Sequence, residues 1–372
     1  MKTCLNEDLS RLNISIEKAR NSEFYKEKFK HCPAQLSCLE DIEKFPFTYP
    51  AEVKDLKNFY KLLATDPSEI FHIHSSSNKG LWALSQNDYY RLTDTEFLNG
   101  VDTGQGICLS LIPHVGWVGM TPFFGLLEAN TRFIFLPPSK IPDLFVSFLE
   151  NLEIKGILGL PSTIIQLIFL IKAKGLNPKD FGLNYVLLAG ETYSDFIAHY
   201  IQQELAVKIT DLYGSADFHY IASGEPGRLK VAPDSFIEII DGELVCTTYR
   251  KEAMPLVRYK TGDFIEVVDQ KKDGTFYIKV KGREREKLSS GASPIFPSDI
   301  EQIISSIFNI PANYLIVKKE SGLVLKVEGP VKFKTEISDA LKERFNISCE
   351  VVMLNQGDLP RHKGKAQRVV SE

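Results

Sequence analysis

The sequence predicts an α/β protein in which a large N-terminal domain, with a parallel sheet, helices and a β-rich layer, is followed by a small, mobile α+β C-terminal domain. Three observations predict it. Strand-period and helix-period segments alternate three times between 131 and 212, the pattern of successive β-α units in a parallel sheet. Past residue 230 the texture changes to hairpins, with Asp-Gly turns at 241–242 and 273–274. From about 290 a second α+β pattern begins, after the charge run Glu284-Arg285-Glu286-Lys287. The 372 residues exceed the usual size of one domain, and 44% hydrophobic content supplies an ample core. The expected boundary divides residues 1–283 from 284–372.

The elements follow in order. Ser10 to Phe29 has helical periodicity, and the prolines around Phe45 to Pro50 impose an extended break, so this part reads as a lid or flank. Thr131–Leu136 is strand-like, Pro142–Leu152 helical, Lys155–Leu160 a strand, and Pro161–Lys174 a helix stopped by Gly175. Tyr185–Ala189, a helix over Ser194–Leu205, and Val207–Leu212 repeat the unit. Phe236–Ile240 and Glu243–Thr248 form a hairpin. In the last part, Asp299–Phe308 and Lys334–Phe345 read as helices, and Tyr314–Lys318, Leu323–Val327 and Ser348–Leu354 as strands.

Composition excludes several classes. A formal net charge of -4 gives no general attraction to nucleic acid or anionic membranes. The six cysteines are scattered without C-x-x-C spacing, which suits reduced thiols of a cytoplasmic protein; His31, Cys32 and Cys38 form only a weak metal pattern. Met1–Arg11 carries acids and lacks the apolar core of a signal peptide, and Ile164–Ile171 is too short to span a bilayer.

Parallel sheets place ligands at the C-terminal ends of their strands. That rule selects Gly190-Glu191-Thr192-Tyr193 after Ala189, and Tyr213-Gly214-Ser215-Ala216-Asp217 after Leu212. Further on, Thr261-Gly262 reads as a tight turn at the mouth of a strand, so that Asp263 can aim its carboxylate at vicinal hydroxyls while Arg283 offers a planar donor fork. A nucleotide ribose suits that pair; a β-turn beside a surface arginine is the alternative reading of the same residues.

Six blocks in order resemble the adenylate-forming acyl- and aryl-CoA synthetase superfamily, most closely its phenylacetate-CoA ligase-like branch: Gly190-Glu191, Tyr213 to Asp217, Gly242-Glu243-Leu244-Val245 through Pro255 to Asp263, Gly282-Arg283, Pro297 to Glu301, and Pro360 to Arg368. The resemblance implies activation of a carboxylic acid, here an aromatic one, with ATP and Mg2+. Pyrophosphate is released, and the acyl-adenylate passes to the thiol of coenzyme A or of a carrier-bound phosphopantetheine. It implies an ATP/AMP site of Ser75, Ser76, Ser77, Lys79, Gly190, Glu191, Thr192, Asp211, Leu212, Tyr213, Gly214, Ser215, Asp263 and Arg283, with the Tyr213 ring on the adenine. It also implies Asp217 as magnesium ligand, Lys365 as catalytic cation, and an acid pocket that includes His114, Trp117, Ala189 and Gly214.

The chain departs from the family pattern in three places. Asp217 stands where glutamate is usual, shortening the reach toward a metal. Ser75 to Gly80 keeps one of two usual glycines, and a polar hairpin turn accounts for the same residues. Arg285 stands where the hinge usually carries an acid. These departures leave two alternatives open: adenylation alone, with the product handed to a partner such as a reductase, or a non-catalytic nucleotide-binding relic. The expected partners are small carboxylic acids, with no nucleic acid and no membrane, in a monomer or homodimer.

Overall fold

The computed structural model describes residues 6–75, 80–90, 101, 103, 106–112, 126, 131–136, 141–289, 294–320, 322–360 and 365–372. In chain order the longer elements are α1 (Asn6–Ala19), α2 (Glu23–Lys28), α3 (Pro50–Val53), β1 (Ile70–Ser75), β2 (Leu81–Ser85), α4 (Gln86–Tyr90), β3 (Ile107–Ser110), β4 (Arg132–Phe135), α5 (Ile141–Asn151), β5 (Ile154–Gly159), α6 (Pro161–Ala173), β6 (Tyr185–Ala189), α7 (Asp195–Leu205) and β7 (Lys208–Ser215). There follow β8 (His219–Glu225), β9 (Arg228–Val231), β10 (Ser235–Ile240), β11 (Glu243–Thr248), β12 (Tyr259–Gln270), β13 (Phe276–Arg283), α8 (Pro297–Phe308), β14 (Tyr314–Lys319), β15 (Gly322–Glu328), α9 (Lys334–Phe345), β16 (Cys349–Leu354) and β17 (Val369–Ser371). The described residues fall into two compact units. One takes them from Met1–Val101, His114–Asn130 and Leu212–Val280, the other from Asp102–Pro113, Thr131–Asp211 and Lys281–Glu372.

In the first unit β10 and β11 pair in register as an antiparallel hairpin across Asp241-Gly242, and the strand order continues β12, β13, β9, β8. The N-terminal segment is part of this unit's core rather than a lid. Leu12, Ile16, Tyr25 and Phe29 are fully buried and pack with Phe45, Phe236 and Val257. Burial pushes the Tyr25 hydroxyl up to about 12, and that hydroxyl accepts from the Val257 amide at 3.1 Å. The expected single helix over 10–29 is two helices. Ser22 caps the second, its Oγ accepting from the Tyr25 amide at 3.2 Å, and a side-chain acceptor at that point competes with continuation of the first.

Arg258 holds the hairpin to this flank. Its guanidinium makes a fork to Glu238, with Nε to Oε2 at 3.0 Å and Nη2 to Oε1 at 2.9 Å. It donates to the Phe45 carbonyl at 2.8 Å and lies over the Phe47 ring at 4.1 Å. Arg258 adopts φ 48°, a left-handed conformation tolerated because so many contacts fix it.

The second unit contains the expected β-α repeat, with β4, β3, β5 and β6 lying side by side and parallel. Every residue of β6 is buried, as a strand covered on both faces requires. Between β6 and α7 lies the Gly190–Ser194 loop. The C-terminal part forms a four-stranded sheet in the order β16-β15-β14-β17, packed against α8 and α9 around Ile304, Ile316, Val327 and Leu341. Strand β17 is absent from the sequence reading because three residues in a basic tail carry no periodicity; it forms by pairing parallel to β14 at Ile316, Val317 and Lys318.

Among the described residues no helix is long and apolar enough to cross a membrane. Nor is any group of three or more His, Cys, Asp or Glu arranged to hold a metal ion.

Candidate active site

In the second unit the loop after β6 receives the C-terminal tail. Gly190 adopts φ 86°, and a Cβ there would stand 3.3 Å from Lys365 Cε and 3.6 Å from its Nζ, so glycine serves both the turn and the approach of the lysine. The neighbouring Glu191 carboxylate accepts from the Ser162 amide at 3.0 Å and from its hydroxyl at 2.8 Å. It also accepts from the Ala366 amide at 2.6 Å. Ser162 lies in the first turn of α6, whose own N-cap, Leu160, offers no side-chain acceptor. Glu191 therefore supplies the anion that a helix N-terminus favours.

Helix α7 is treated in the same way. The Ser194 amide donates to Glu301 Oε2 and the Phe196 amide to Gln302 Oε1, each at 2.8 Å, so α8 supplies acceptors to the start of α7. Glu301 is buried, and burial raises its pKa against the opposing pull of Arg368. The tail is tied down further along: Arg368 lies 4.6 Å over the Tyr314 ring and donates to Asn313 Oδ1 at 3.2 Å. Burial, and then the Asp211 carboxylate beside it, hold the Tyr193 hydroxyl well above its ordinary range.

In the first unit Tyr213 and Asp263 meet. The Tyr213 hydroxyl donates to Asp263 Oδ2 at 2.8 Å, and the Asp263 amide donates to Thr261 Oγ1 at 3.1 Å. Thr261-Gly262 lies within β12 rather than at its mouth. The β11–β12 register shifts between Glu243 and Val245, and the Gly262 amide donates to Glu243 Oε1 at 3.0 Å. This local irregularity turns Asp263 as a bulge does. Likewise Tyr213-Gly214-Ser215 belongs to β7 rather than to a following loop. The turn begins at Ser215, whose Oγ accepts from the Asp217 amide at 3.0 Å.

Asp217 is committed inside the protein. Its Oδ2 accepts from Tyr259 at 2.7 Å and lies 3.0 Å from the Lys54 ammonium, while its carbonyl takes the Lys251 ammonium at 2.5 Å. A magnesium ion wants carboxylate oxygens in octahedral geometry with waters around it. In this arrangement one carboxylate oxygen of Asp217 is taken by Tyr259 and Lys54. Burial brings Lys251 down to about 8 even with Asp88 and Asp217 beside it. Lys54, Lys251 and Tyr259 escaped the sequence reading because their common partner is defined only by the fold.

Ser75 ends β1 opposite Leu81, and Ala189 and Leu212 are buried strand residues. Thr192 and Gly214 are half-buried. Arg283 ends β13, where its amide donates to Glu286 Oε2 at 3.4 Å, and the preceding Gly282 is packed by Phe296. Ser76, Ser77, Lys79, His114 and Trp117 lie outside the described residues.

Residues 292–372 match the model of the AMP-binding enzyme C-terminal domain. A phenylacetate-coenzyme A ligase of Pseudomonas putida is 26% identical across 97% of this chain and 92% of its own length. The chain is therefore similar to phenylacetate-coenzyme A ligases over nearly its whole length, and its C-terminal residues match a domain of AMP-binding enzymes. The Escherichia coli phenylacetate-coenzyme A ligase is 24% identical over 96% of this chain and 92% of its own length. The fold is shared with 2-hydroxyisobutyryl-CoA ligase in its postadenylation state, which superposes with a TM-score of 0.87 at 20% identity and covers 100% of this chain and 91% of its own. An anthranilate CoA ligase bound to anthranoyl-AMP superposes with a TM-score of 0.62 at 15% identity, over 80% of this chain and 66% of its own.

Proposed function

We propose that this chain is an AMP-forming acid–thiol ligase that activates an aromatic carboxylic acid with ATP and passes the acyl group to coenzyme A. In the first step a carboxylate oxygen attacks the α-phosphorus and the bond to pyrophosphate breaks. In the second the thiol sulfur attacks the acyl carbon and AMP leaves. The observation that carries this reading is the seat of Lys365 over Gly190. A cation delivered from the tail to a glycine-bared strand end can stabilise negative charge that grows on the α-phosphate.

The other roles follow from the chemistry of each group. Asp263 accepts from ribose hydroxyls, with Tyr213 fixing one of its oxygens and offering its ring to the adenine. Arg283 adds donors to the ribose, and Ser75 with its following residues, Lys79 included, meets the phosphates. Magnesium would screen the polyphosphate charge when ATP binds. His114 and Trp117 line the acid pocket with Ala189 and Gly214 in this proposal, and the phenylacetate relatives favour an aryl acid. Residues 284–372 form the mobile domain, with the hinge at Arg285.

The test is a mass-spectrometric assay of the full chain with ATP, magnesium, coenzyme A and a panel of aromatic and short aliphatic acids. The expected result is an acid-dependent thioester with equimolar AMP. AMP without thioester would limit the chain to adenylation, and no AMP with any acid would overturn the proposal.

A further inference from the structure

We propose that Glu191 is the positioning residue for Lys365, holding the lysine over Gly190 through the backbone amide of Ala366. The inference rests on the adenylation reading above, in which Lys365 is the catalytic cation. It reassigns Glu191, because the wall of a nucleotide pocket needs only its backbone whereas the structure commits its side chain elsewhere.

The carboxylate is anchored at one end and does its holding at the other. Two of its three donors, the amide and hydroxyl of Ser162, come from the first turn of α6. An acid at a helix start takes up otherwise unsatisfied N–H groups and the positive end of the helix dipole, so Glu191 is fixed before the tail arrives. The third donor is the Ala366 amide at 2.6 Å. That amide is bonded directly to the carbonyl carbon of Lys365, so pinning it fixes the lysine backbone within a bond length. A bond this short to a carboxylate is of the charge-assisted kind.

The next ties along the chain lie at Arg368 and at the β17–β14 pairing, two residues or more beyond. A long lysine side chain has costly rotamer freedom to lose, and a tether one residue away is the cheapest way to reduce it. Ground-state placement of this kind is worth much in rate, since a misplacement of about 1 Å can cost ~100-fold. Glu301 and Gln302 act in the same direction from α8. They occupy the Ser194 and Phe196 amides and so hold the receiving loop in the shape that presents Glu191.

The roles of pocket wall and tether separate kinetically. Acid-dependent exchange of labelled pyrophosphate into ATP is measured for the full chain, for Glu191→Ala, for Glu191→Gln, for Lys365→Ala and for the Glu191→Ala/Lys365→Ala pair. The expected result for Glu191→Ala is a kcat lower by about 10- to 100-fold with the KM for ATP within about twofold. Glu191→Gln, which keeps an acceptor for the Ala366 amide, loses less. The double variant is no slower than Lys365→Ala alone, because a residue that acts only through the lysine has nothing left to act on. An unchanged kcat in Glu191→Ala, a raised KM at constant kcat, or additive losses would overturn the proposal.

Hydrogen exchange at the Ala366 amide, read by mass spectrometry in the resting protein, reports on the tether independently of turnover. The tether predicts at least about tenfold faster exchange in Glu191→Ala than in the wild type. Equal rates would overturn the tether even in an active enzyme, while absent activity with faster exchange would sink the adenylation reading and leave the tether standing. If Glu191→Ala does not fold, as judged by thermal unfolding, the isosteric Glu191→Gln carries both measurements.

Discussion

The phenolic hydroxyl of Tyr213 donates to the buried carboxylate of Asp263 at 2.8 Å, joining residues that lie 50 positions apart in the chain. One side chain thus presents a ring while its hydroxyl orients the carboxylate that is proposed to meet the ribose. Tyr213→Phe keeps the ring and removes the donor, whereas Tyr213→Ala removes both. A hydrogen bond to a charged acceptor contributes about 1.5–3 kcal/mol. Calorimetric titration with AMP is expected to show about 10- to 100-fold weaker binding for Tyr213→Phe and a larger loss for Tyr213→Ala. Equal losses in the two variants would show that the ring does not contact the adenine.

The pair of Arg258 and Glu238 ties the hairpin to the N-terminal flank at a position where both side chains are almost wholly buried. Breaking such a pair from one side leaves an uncompensated charge and costs about 3–5 kcal/mol. Glu238→Gln is expected to lower the unfolding free energy by that much without altering nucleotide binding by the folded fraction. Replacement of the pair together by apolar residues of similar size is expected to recover much of the loss. Denaturant titration of the three proteins checks both statements.

His74 lies 3.5 Å from the Ala216 carbonyl, and burial, followed by the charge of Lys251, brings its pKa from 6.5 down to about 3. His219, held well below 6.5 mainly by burial, behaves in the same way. Both are neutral in the fold and take up a proton on unfolding below pH 6.5. The unfolded state therefore binds more protons in that range, and stability rises with pH between about 3 and 6.5 and levels off above. Glu301, whose pKa burial raises, acts in the opposite sense above its ordinary value. The contrast between wild type and His74→Phe isolates the histidine: thermal unfolding across this range is expected to show a shallower slope in the variant.

Gly282 lies near the end of β13 with φ 156°, and a Cβ there would fall 2.4 Å from Phe296 Cδ1. The packed ring leaves no room for a methyl group, so Gly282→Ala is expected to destabilise the fold by about 1–3 kcal/mol. Gly282→Ala combined with Phe296→Leu, which withdraws the ring, is expected to regain part of the loss. Thermal unfolding of the single and double variants measures it.

Much of this was legible in the sequence, for identifiable reasons. The β5–α6–β6–α7 repeat was readable because its apolar periods are long and its boundaries carry Pro161 and Ser194, residues whose chemistry marks a helix start. Hairpin β10–β11 was marked by Asp241-Gly242, both at positive φ. Gly190, Asp263 and Lys365 stood out as short motifs. What stayed hidden is long-range pairing. Glu191 and Ser162 lie 29 positions apart, Glu301 and Ser194 107, and Arg258 and Phe45 213, and no spacing rule spans such gaps. The partners of Asp217 were hidden for the same cause, since Lys54 and Tyr259 reach it only in the fold.

Whether Lys365 drives adenylation is decided by acid-dependent exchange of labelled pyrophosphate into ATP, compared between the wild type and Lys365→Ala at saturating ATP. Exchange is expected with at least one aromatic acid, with a loss of about 10²- to 10³-fold in Lys365→Ala, the usual effect of removing one charge-stabilising donor from a transition state. Exchange that persists undiminished in Lys365→Ala would contradict the catalytic role of the lysine.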